Sequence, residues 1–158
     1  MKDVIMKLPF GSSSRLKSIE QKMDKTILFV CVENSARSQM AEGFFRKYAP
    51  KGYITLSAGT KPTAEINPLA IQLMREFGID ISKQKPKGMT EDMIRNSAKI
   101  VNMGCIDKSF CPTLFINNVI DWRIEDLKGK PVEKVREIRD EIERRVRQLA
   151  ADLNKQDR

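Results

Sequence analysis

The chain has 158 residues, of which 41% are hydrophobic and 32% charged, and its formal net charge is +8. This length suits one compact domain with a hydrophobic core, and no apolar run approaches the ~20 residues that a membrane span requires. The positive charge favours anionic ligands, but a nucleic-acid surface is disfavoured because no basic block is interleaved with aromatic residues.

The residue types that are missing restrict the chemistry. The sequence contains no histidine, which excludes Ser-His and Cys-His pairs and imidazole metal ligands. It contains three cysteines, an odd number without a C-x-x-C pair or a signal-peptide segment. We therefore expect a cytoplasmic protein with nucleophilic or redox cysteines, no metal and no cofactor.

The first 24 residues lack hydrophobic periodicity and include the run Gly11 to Ser14. They are predicted to be a flexible N-terminal extension, and residues 25–158 a single catalytic domain. The long helix of that domain is expected to carry a solvated face with the ion pairs Asp140/Arg144 and Glu141/Arg145.

Strands and helices alternate along the predicted domain. Short apolar or β-branched runs predict four strands, at Thr26–Cys31, Tyr53–Ala58, Lys99–Met103 and Asn118–Trp122. Apolar spacing and capping residues predict four helices: one carrying Met40 to Tyr48, one from Asn67-Pro68 to Gly78, one from Thr90 to Asn96, and one from Val132 onward. This order predicts an α/β fold of three layers, a four-stranded parallel sheet with helices on both faces, with ligands bound beyond the carboxyl ends of the strands.

A cysteine and an arginine separated by five residues lie between the first strand and the first helix, in the stretch Cys31 to Ser38. So short a loop can turn its backbone N–H groups toward one tetrahedral anion, and Arg37 can add a planar two-oxygen fork. The same amides, the helix N-terminus and the Ser38 hydroxyl favour a thiolate, so Cys31 could act as a nucleophile without a base. The alternative is that Cys31 is simply the last buried residue of its strand.

The segment Val30 to Phe45, "VCVENSARSQMAEGFF", resembles the active-site segment of arsenate reductases coupled to thioredoxin, which are relatives of the low-molecular-weight protein tyrosine phosphatases. The stretches Ser57–Thr60, Asn67–Ala70 and Gly78–Ile81 are also similar to that family. The resemblance extends from about Lys25 to the last helix and implies the low-molecular-weight phosphatase fold.

The resemblance implies that Cys31 and Arg37 are catalytic and that the loop binds arsenate or phosphate. The implied binding residues are Val32, Glu33, Asn34, Ser35, Ala36, Arg37 and Ser38. It also implies that Cys105 and Cys111, in "MGCIDKSFCP", relay electrons from thioredoxin or a similar dithiol. The alternative for this pair is two ordinary thiols near a strand end.

The resemblance further implies a general acid after the fourth strand, where Asp126 aligns best. Leu127 replaces the proline that usually follows the acid, and Glu125 and Asp121 are competing carboxylates. Asp126 could also be an exposed aspartate without a role. Glu33 replaces a small residue of the phosphatases; it would be harmless if it pointed outward and would repel an anion if it pointed inward.

The sequence predicts an arsenate reductase and leaves two alternatives. A low-molecular-weight protein tyrosine phosphatase would need neither Cys105 nor Cys111, although the tyrosine pair that follows the acid in those enzymes is replaced by Leu127-Lys128-Gly129. A non-catalytic oxyanion or redox sensor would bind the anion without turnover.

Overall fold

The computed structural model describes residues 25–104 and 119–157. The four strands are β1 (Thr26–Cys31), β2 (Ile54–Gly59), β3 (Lys99–Asn102) and β4 (Val119–Asp121). The four helices are α1 (Arg37–Tyr48), α2 (Pro68–Arg75), α3 (Glu91–Arg95) and α4 (Val132–Gln156). The predicted N-terminal extension, Cys105 and Cys111 lie outside the described residues.

The strands form one parallel sheet in the order β2-β1-β3-β4, which confirms the predicted four-stranded sheet. β1 has a neighbour on each side, and all six of its residues are buried, as its continuous apolar run requires. Cys31 is in register with Gly59 of β2, and Val30 with Asn102 of β3. The carboxyl ends of these three strands therefore meet at one edge of the sheet.

Side chains alternate between the two faces of β1. Ile27 and Phe29 belong to the larger core, which contains the buried faces of α1, α2 and α4. Leu28 and Val30 belong to a second core, which Ile94 of α3 covers. The predicted three layers, with helices on both faces of the sheet, are confirmed.

Two strands end earlier than their apolar runs predict because aspartate and asparagine side chains turn the chain. The Asn102 carboxamide accepts from the backbone N–H of Gly104, and the Asp121 carboxylate accepts from that of Arg123, which has a φ of 48°. Both bonds are Asx turns, which change the direction of the chain where the two strands end. The predicted Met103 and Trp122 accordingly lie just beyond β3 and β4.

Helix α2 begins and ends with the predicted residues. The Asn67 side chain accepts from the backbone N–H of Leu69, and Pro68 is the first helical residue. After the last helical residue the chain turns through Gly78, which has a φ of 71°. There the N–H of Ile79 donates to the Met74 carbonyl, a Schellman arrangement that requires a left-handed residue at Gly78.

One predicted ion pair on α4 is present and one is wrong. Glu141 binds Arg145, as predicted, but it also binds Arg144, so the Asp140/Arg144 pair does not form. Asp140 binds the guanidinium of its neighbour Arg139 instead. Within residues 25–104 and 119–157, no helix is long and apolar enough to cross a membrane.

Candidate active site

The Cys31 sulfur lies at the carboxyl end of the central strand and is surrounded by donors. The backbone N–H of Asn34 donates to Sγ at 3.0 Å, and the Ser38 hydroxyl lies 2.9 Å from it. Cys31 is 4% exposed, yet it lines the cavity described below. Donors at the sulfur favour the thiolate over the thiol, which is the form that the predicted nucleophile requires.

The carbonyl groups of the loop that follows Cys31 point away from the cavity because a neighbouring segment binds them. Four backbone N–H groups between residues 60 and 67 donate to four loop carbonyls: Thr60 to Cys31 (3.2 Å), Lys61 to Val32 (2.8 Å), Thr63 to Glu33 (3.1 Å) and Asn67 to Ser35 (2.8 Å). In a planar trans peptide the next N–H points opposite to the carbonyl. The amides of residues 32, 33, 34 and 36 are therefore turned inward, as anion binding requires.

Gly59, at the end of β2, lies directly behind this loop. A Cβ atom at Gly59 would be 2.4 Å from the Val32 carbonyl oxygen and 3.0 Å from the Asn34 nitrogen. Only glycine lets the strand approach the loop this closely. The sequence marked Gly59 as a strand end, but its contact with the loop has no sequence signal.

A cavity of about 320 Å³ opens over the loop. It is lined by Cys31, Val32, Glu33, Ser35, Ala36, Arg37, Asn67, Asp126, Leu127 and Lys128. The Arg37 side chain is 12% exposed, and its Nη1 donates to the Ile124 carbonyl at 2.7 Å. This bond fixes the plane of the guanidinium and leaves Nη2 on the cavity side, 4.0 Å from Asp126 Oδ1.

Of the three carboxylates that could be the general acid, Asp126 lines the cavity. Its side chain is 63% exposed and accepts from the backbone N–H of Lys128. Glu125 instead forms ion pairs with Lys130 and Lys134. Asp121 forms its contacts with Arg123, away from the cavity. Geometry therefore favours Asp126.

Glu33 lies at the mouth of the cavity, and its charge is balanced. Its carboxylate is 3.5 Å from Lys128 Nζ and accepts from the Ser35 hydroxyl at 3.4 Å. The pair joins the anion loop to the segment that carries Asp126. The Glu33 side chain is thus partly exposed, and it lines the cavity without being buried against the loop amides.

Asn34 and Ser38 are fully buried behind the loop and do not line the cavity. Asn34 has a φ of 52°, and its Nδ2 donates to Ser38 Oγ at 2.7 Å. Because Ser38 accepts there, its own hydrogen is available for the Cys31 sulfur. Sequence reasoning did not identify Asn67 and Lys128 as cavity residues, since neither belongs to a recognisable chemical motif.

Cys105 and Cys111 cannot be placed because they lie outside the described residues. Gly104, which precedes Cys105 in the chain, follows β3 at the edge of the sheet where β1 ends with Cys31. The described residues contain no group of three histidine, cysteine, aspartate or glutamate side chains arranged to hold a metal ion.

A sequence model of the low molecular weight phosphotyrosine protein phosphatases matches residues 26–158. The chain belongs to this phosphatase family. The match spans the sheet, the anion loop and the long C-terminal helix, and it begins after the predicted extension. The membership confirms the resemblance found in the sequence, and with it the fold.

Several relatives and solved structures that are similar to this chain are arsenate reductases, and other similar structures are arginine phosphatases at 24–25% identity. An arsenate reductase of Staphylococcus aureus is 40% identical over 120 residues, which cover 75% of this chain and 90% of that protein. A solved arsenate reductase in the phosphate binding state is 32% identical, with a TM-score of 0.71 over 81% of this chain and 98% of that one. A thioredoxin-dependent arsenate reductase of Corynebacterium glutamicum is 33% identical, with a TM-score of 0.71 over 91% of this chain and 72% of that one.

Proposed function

We propose that this chain reduces arsenate to arsenite. The observation that carries the proposal is the Cys31 sulfur, with two donors, at the base of a cavity into which the loop amides turn. This arrangement suits a tetrahedral oxyanion, either arsenate or phosphate. The names of relatives up to 40% identical favour arsenate as the substrate.

The first step is nucleophilic substitution at arsenic. The Cys31 thiolate forms an S–As bond while one arsenate oxygen departs as water, with a proton supplied by Asp126. Arg37 and the loop amides hold the remaining oxygens and their negative charge. Asp126 lines the cavity over the anion loop, which supports its role as the acid.

The second step transfers two electrons to arsenic. The Cys105 thiolate attacks the Cys31 sulfur, the S–As bond breaks, and its electron pair stays on arsenic, which leaves as arsenite. Cys111 then attacks Cys105, which releases the Cys31 thiolate and leaves a Cys105/Cys111 disulfide. A dithiol such as thioredoxin reduces this disulfide and restores the enzyme.

Two further expectations belong to this proposal. The thioredoxin-dependent relative from Corynebacterium glutamicum supports thioredoxin as the reductant, which would place the reaction in the reducing cytoplasm. The family match from residue 26 onward supports residues 25–158 as the catalytic unit. Deleting residues 1–22 should therefore leave turnover nearly unchanged, and a large fall in a folded protein would show that the extension contributes to the site.

The test separates reduction from hydrolysis in one set of variants. Cys31→Ser should abolish both arsenite release with a thioredoxin system and hydrolysis of an aryl phosphate, because a hydroxyl ionises far less readily than a thiol. Cys105→Ser should lose arsenite formation but keep hydrolysis, in which water attacks the Cys31 adduct. Cys111→Ser should manage at most one turnover. Mass spectrometry of the oxidised wild type should find a Cys105/Cys111 bond and reduced Cys31.

The second candidate is a phosphatase, which the family description itself favours. It would use the same loop, Arg37 and acid, but neither of the other two cysteines. Wild-type rates of arsenate reduction over many cycles in both Cys105→Ser and Cys111→Ser would contradict the relay. Hydrolysis without any arsenite release from the wild type would replace the reductase with the phosphatase, and anion binding without either reaction would indicate a sensor.

A further inference from the structure

A line of side-chain amides lies behind the anion loop and leads from the surface to Asn34. Gln39, on α1, is fully buried, and its Nε2 donates to both the Asn34 carbonyl (3.0 Å) and Asn34 Oδ1 (3.1 Å). Its Oε1 accepts from Gln84 Nε2 at 2.8 Å, and the same Nε2 donates to the Gln39 backbone carbonyl at 3.1 Å. Gln84 Oε1 in turn accepts from the Arg46 guanidinium at 2.8 Å.

The partners at the two ends of the line determine which end of each side-chain amide donates and which accepts. A guanidinium can only donate, so the oxygen of Gln84 must face Arg46 and its NH₂ group must face Gln39. The Asn34 carbonyl can only accept, so Gln39 must present its own NH₂ group there. At the far end the backbone N–H of Lys87 donates to Asn34 Oδ1, which turns the Asn34 NH₂ group toward Ser38.

This order of donors and acceptors extends to the nucleophile. Because Asn34 donates to the Ser38 oxygen, the Ser38 hydrogen is left for the Cys31 sulfur. Each side chain in the line, from Gln84 to Ser38, thus accepts a hydrogen bond from one neighbour and donates one to the next. The last of these hydrogen bonds goes to the Cys31 sulfur.

Among the carbonyls of Cys31 to Ser35, the line also holds the one that the backbone donors of residues 60–67 do not bind. The carbonyls of Cys31, Val32, Glu33 and Ser35 accept from that segment, whereas the Asn34 carbonyl accepts from the Gln39 side chain. By the planarity of the peptide, this bond turns the Ser35 amide toward the cavity.

We propose that Gln39 and Gln84 are positioning residues, which orient Asn34 so that Ser38 donates to Cys31 and the Ser35 amide faces the bound anion. They touch neither the cavity nor the sulfur, and they act through Asn34. The inference rests on Cys31 being the nucleophile of the proposed function, but not on arsenate being the substrate.

The decisive variant, Gln84→Glu, replaces the NH₂ donor of Gln84 by an acceptor while keeping the shape of the side chain. In Gln84→Glu, a carboxylate faces both Arg46 and Gln39, so Gln39 must either oppose two oxygens or flip and turn its oxygen toward Asn34. Gln84→Leu removes both bonds to Gln39 without forcing a reversal of the Gln39 amide. Gln148→Leu, on the exposed face of α4, is the matched control.

Three readouts test the proposal. Aryl phosphate hydrolysis gives kcat and KM, inhibition by inorganic phosphate gives anion affinity, and the pH dependence of iodoacetamide alkylation, in a Cys105→Ser/Cys111→Ser background, follows the Cys31 thiolate. Gln84→Glu should lower kcat/KM about tenfold or more, weaken phosphate binding and shift the alkylation midpoint to higher pH. Gln84→Leu should have a smaller effect, and Gln148→Leu none. Gln39→Leu, if it folds, should resemble Gln84→Glu.

A packing role alone predicts the opposite order. Glutamate keeps the shape of glutamine and pairs with Arg46, so packing would tolerate Gln84→Glu better than Gln84→Leu. That ranking, equal losses in the two variants, or an unchanged alkylation midpoint in Gln84→Glu would overturn the proposal. Because hydrolysis and phosphate binding are measured, a failure to reduce arsenate would contradict the proposed function and leave this test intact.

Discussion

Replacing Gly59 by alanine tests how closely the sheet must approach the anion loop. The added Cβ would lie 2.4 Å from the Val32 carbonyl oxygen. A carbon and an oxygen rarely approach closer than about 3.3 Å, so the loop must move by about 0.9 Å. Overpacking of this kind costs about 1–3 kcal/mol. In a domain of this size we expect Tm to fall by about 2–12 °C.

The functional loss should exceed the loss of stability. Moving the Val32 carbonyl tilts the next amide away from the anion, and a misplacement of about 1 Å in a catalytic site can cost about 10²-fold in rate. Phosphate affinity from calorimetry and aryl phosphate hydrolysis measure this loss, beside thermal unfolding. Gly88→Ala is the matched control, because Gly88 pairs with Gly59 but a Cβ there meets nothing within 4 Å. If the two variants have the same Tm and phosphate affinity, the close approach does not shape the loop.

Three further predictions concern charged groups. Arg37→Lys should lower hydrolysis about 10²-fold or more, because an ammonium cannot bind two oxygens in a plane; near-wild-type kcat would contradict the fork. Lys128→Ala should raise KM for phosphate esters at low salt, because Lys128 lines the cavity and balances Glu33; added salt should reduce this effect, and a second change, Glu33→Gln, should remove part of it, whereas a KM that does not depend on salt would refute this. Guanidinium partners on α4 lower the pKa of Glu141 to about 2 from 4.5, so its contribution to stability is complete above pH 4.5 and is lost as pH falls toward 2. Thermal unfolding between pH 5 and 2 should show a shallower loss in Glu141→Gln, and an identical curve would exclude this contribution.

The sequence predicts the sheet well because its signals are local. The run Ile27–Cys31 is apolar throughout and rich in β-branched and aromatic residues, as is typical of a strand buried on both faces. Asn67, Pro68 and Gly78 mark the ends of one helical segment through caps formed by near neighbours. The loop between Cys31 and Arg37 is also a local signal, because only five residues separate the two side chains.

What the sequence could not predict depends on contacts between distant segments. Gln39 reads as a polar residue on a helix, yet it is fully buried because Gln84, 45 positions later, satisfies it. The predicted Asp140/Arg144 pair failed for a related reason. Arg144 has two carboxylates within helical reach, and spacing alone cannot tell that it binds Glu141 rather than Asp140.

Residues 60–67 bind the anion loop through their backbone N–H groups, so the exposed side chains of this segment are suitable for redesign. The N–H groups at residues 60, 61, 63 and 67 bind the loop, whereas residues 61–65 expose their side chains. Pro62 has no backbone N–H and lies between the donors at residues 61 and 63. A library that varies residues 61–65 could thus alter the outer surface beside the site without changing the anion loop, provided that proline is kept from positions 61 and 63, where it would delete a donor.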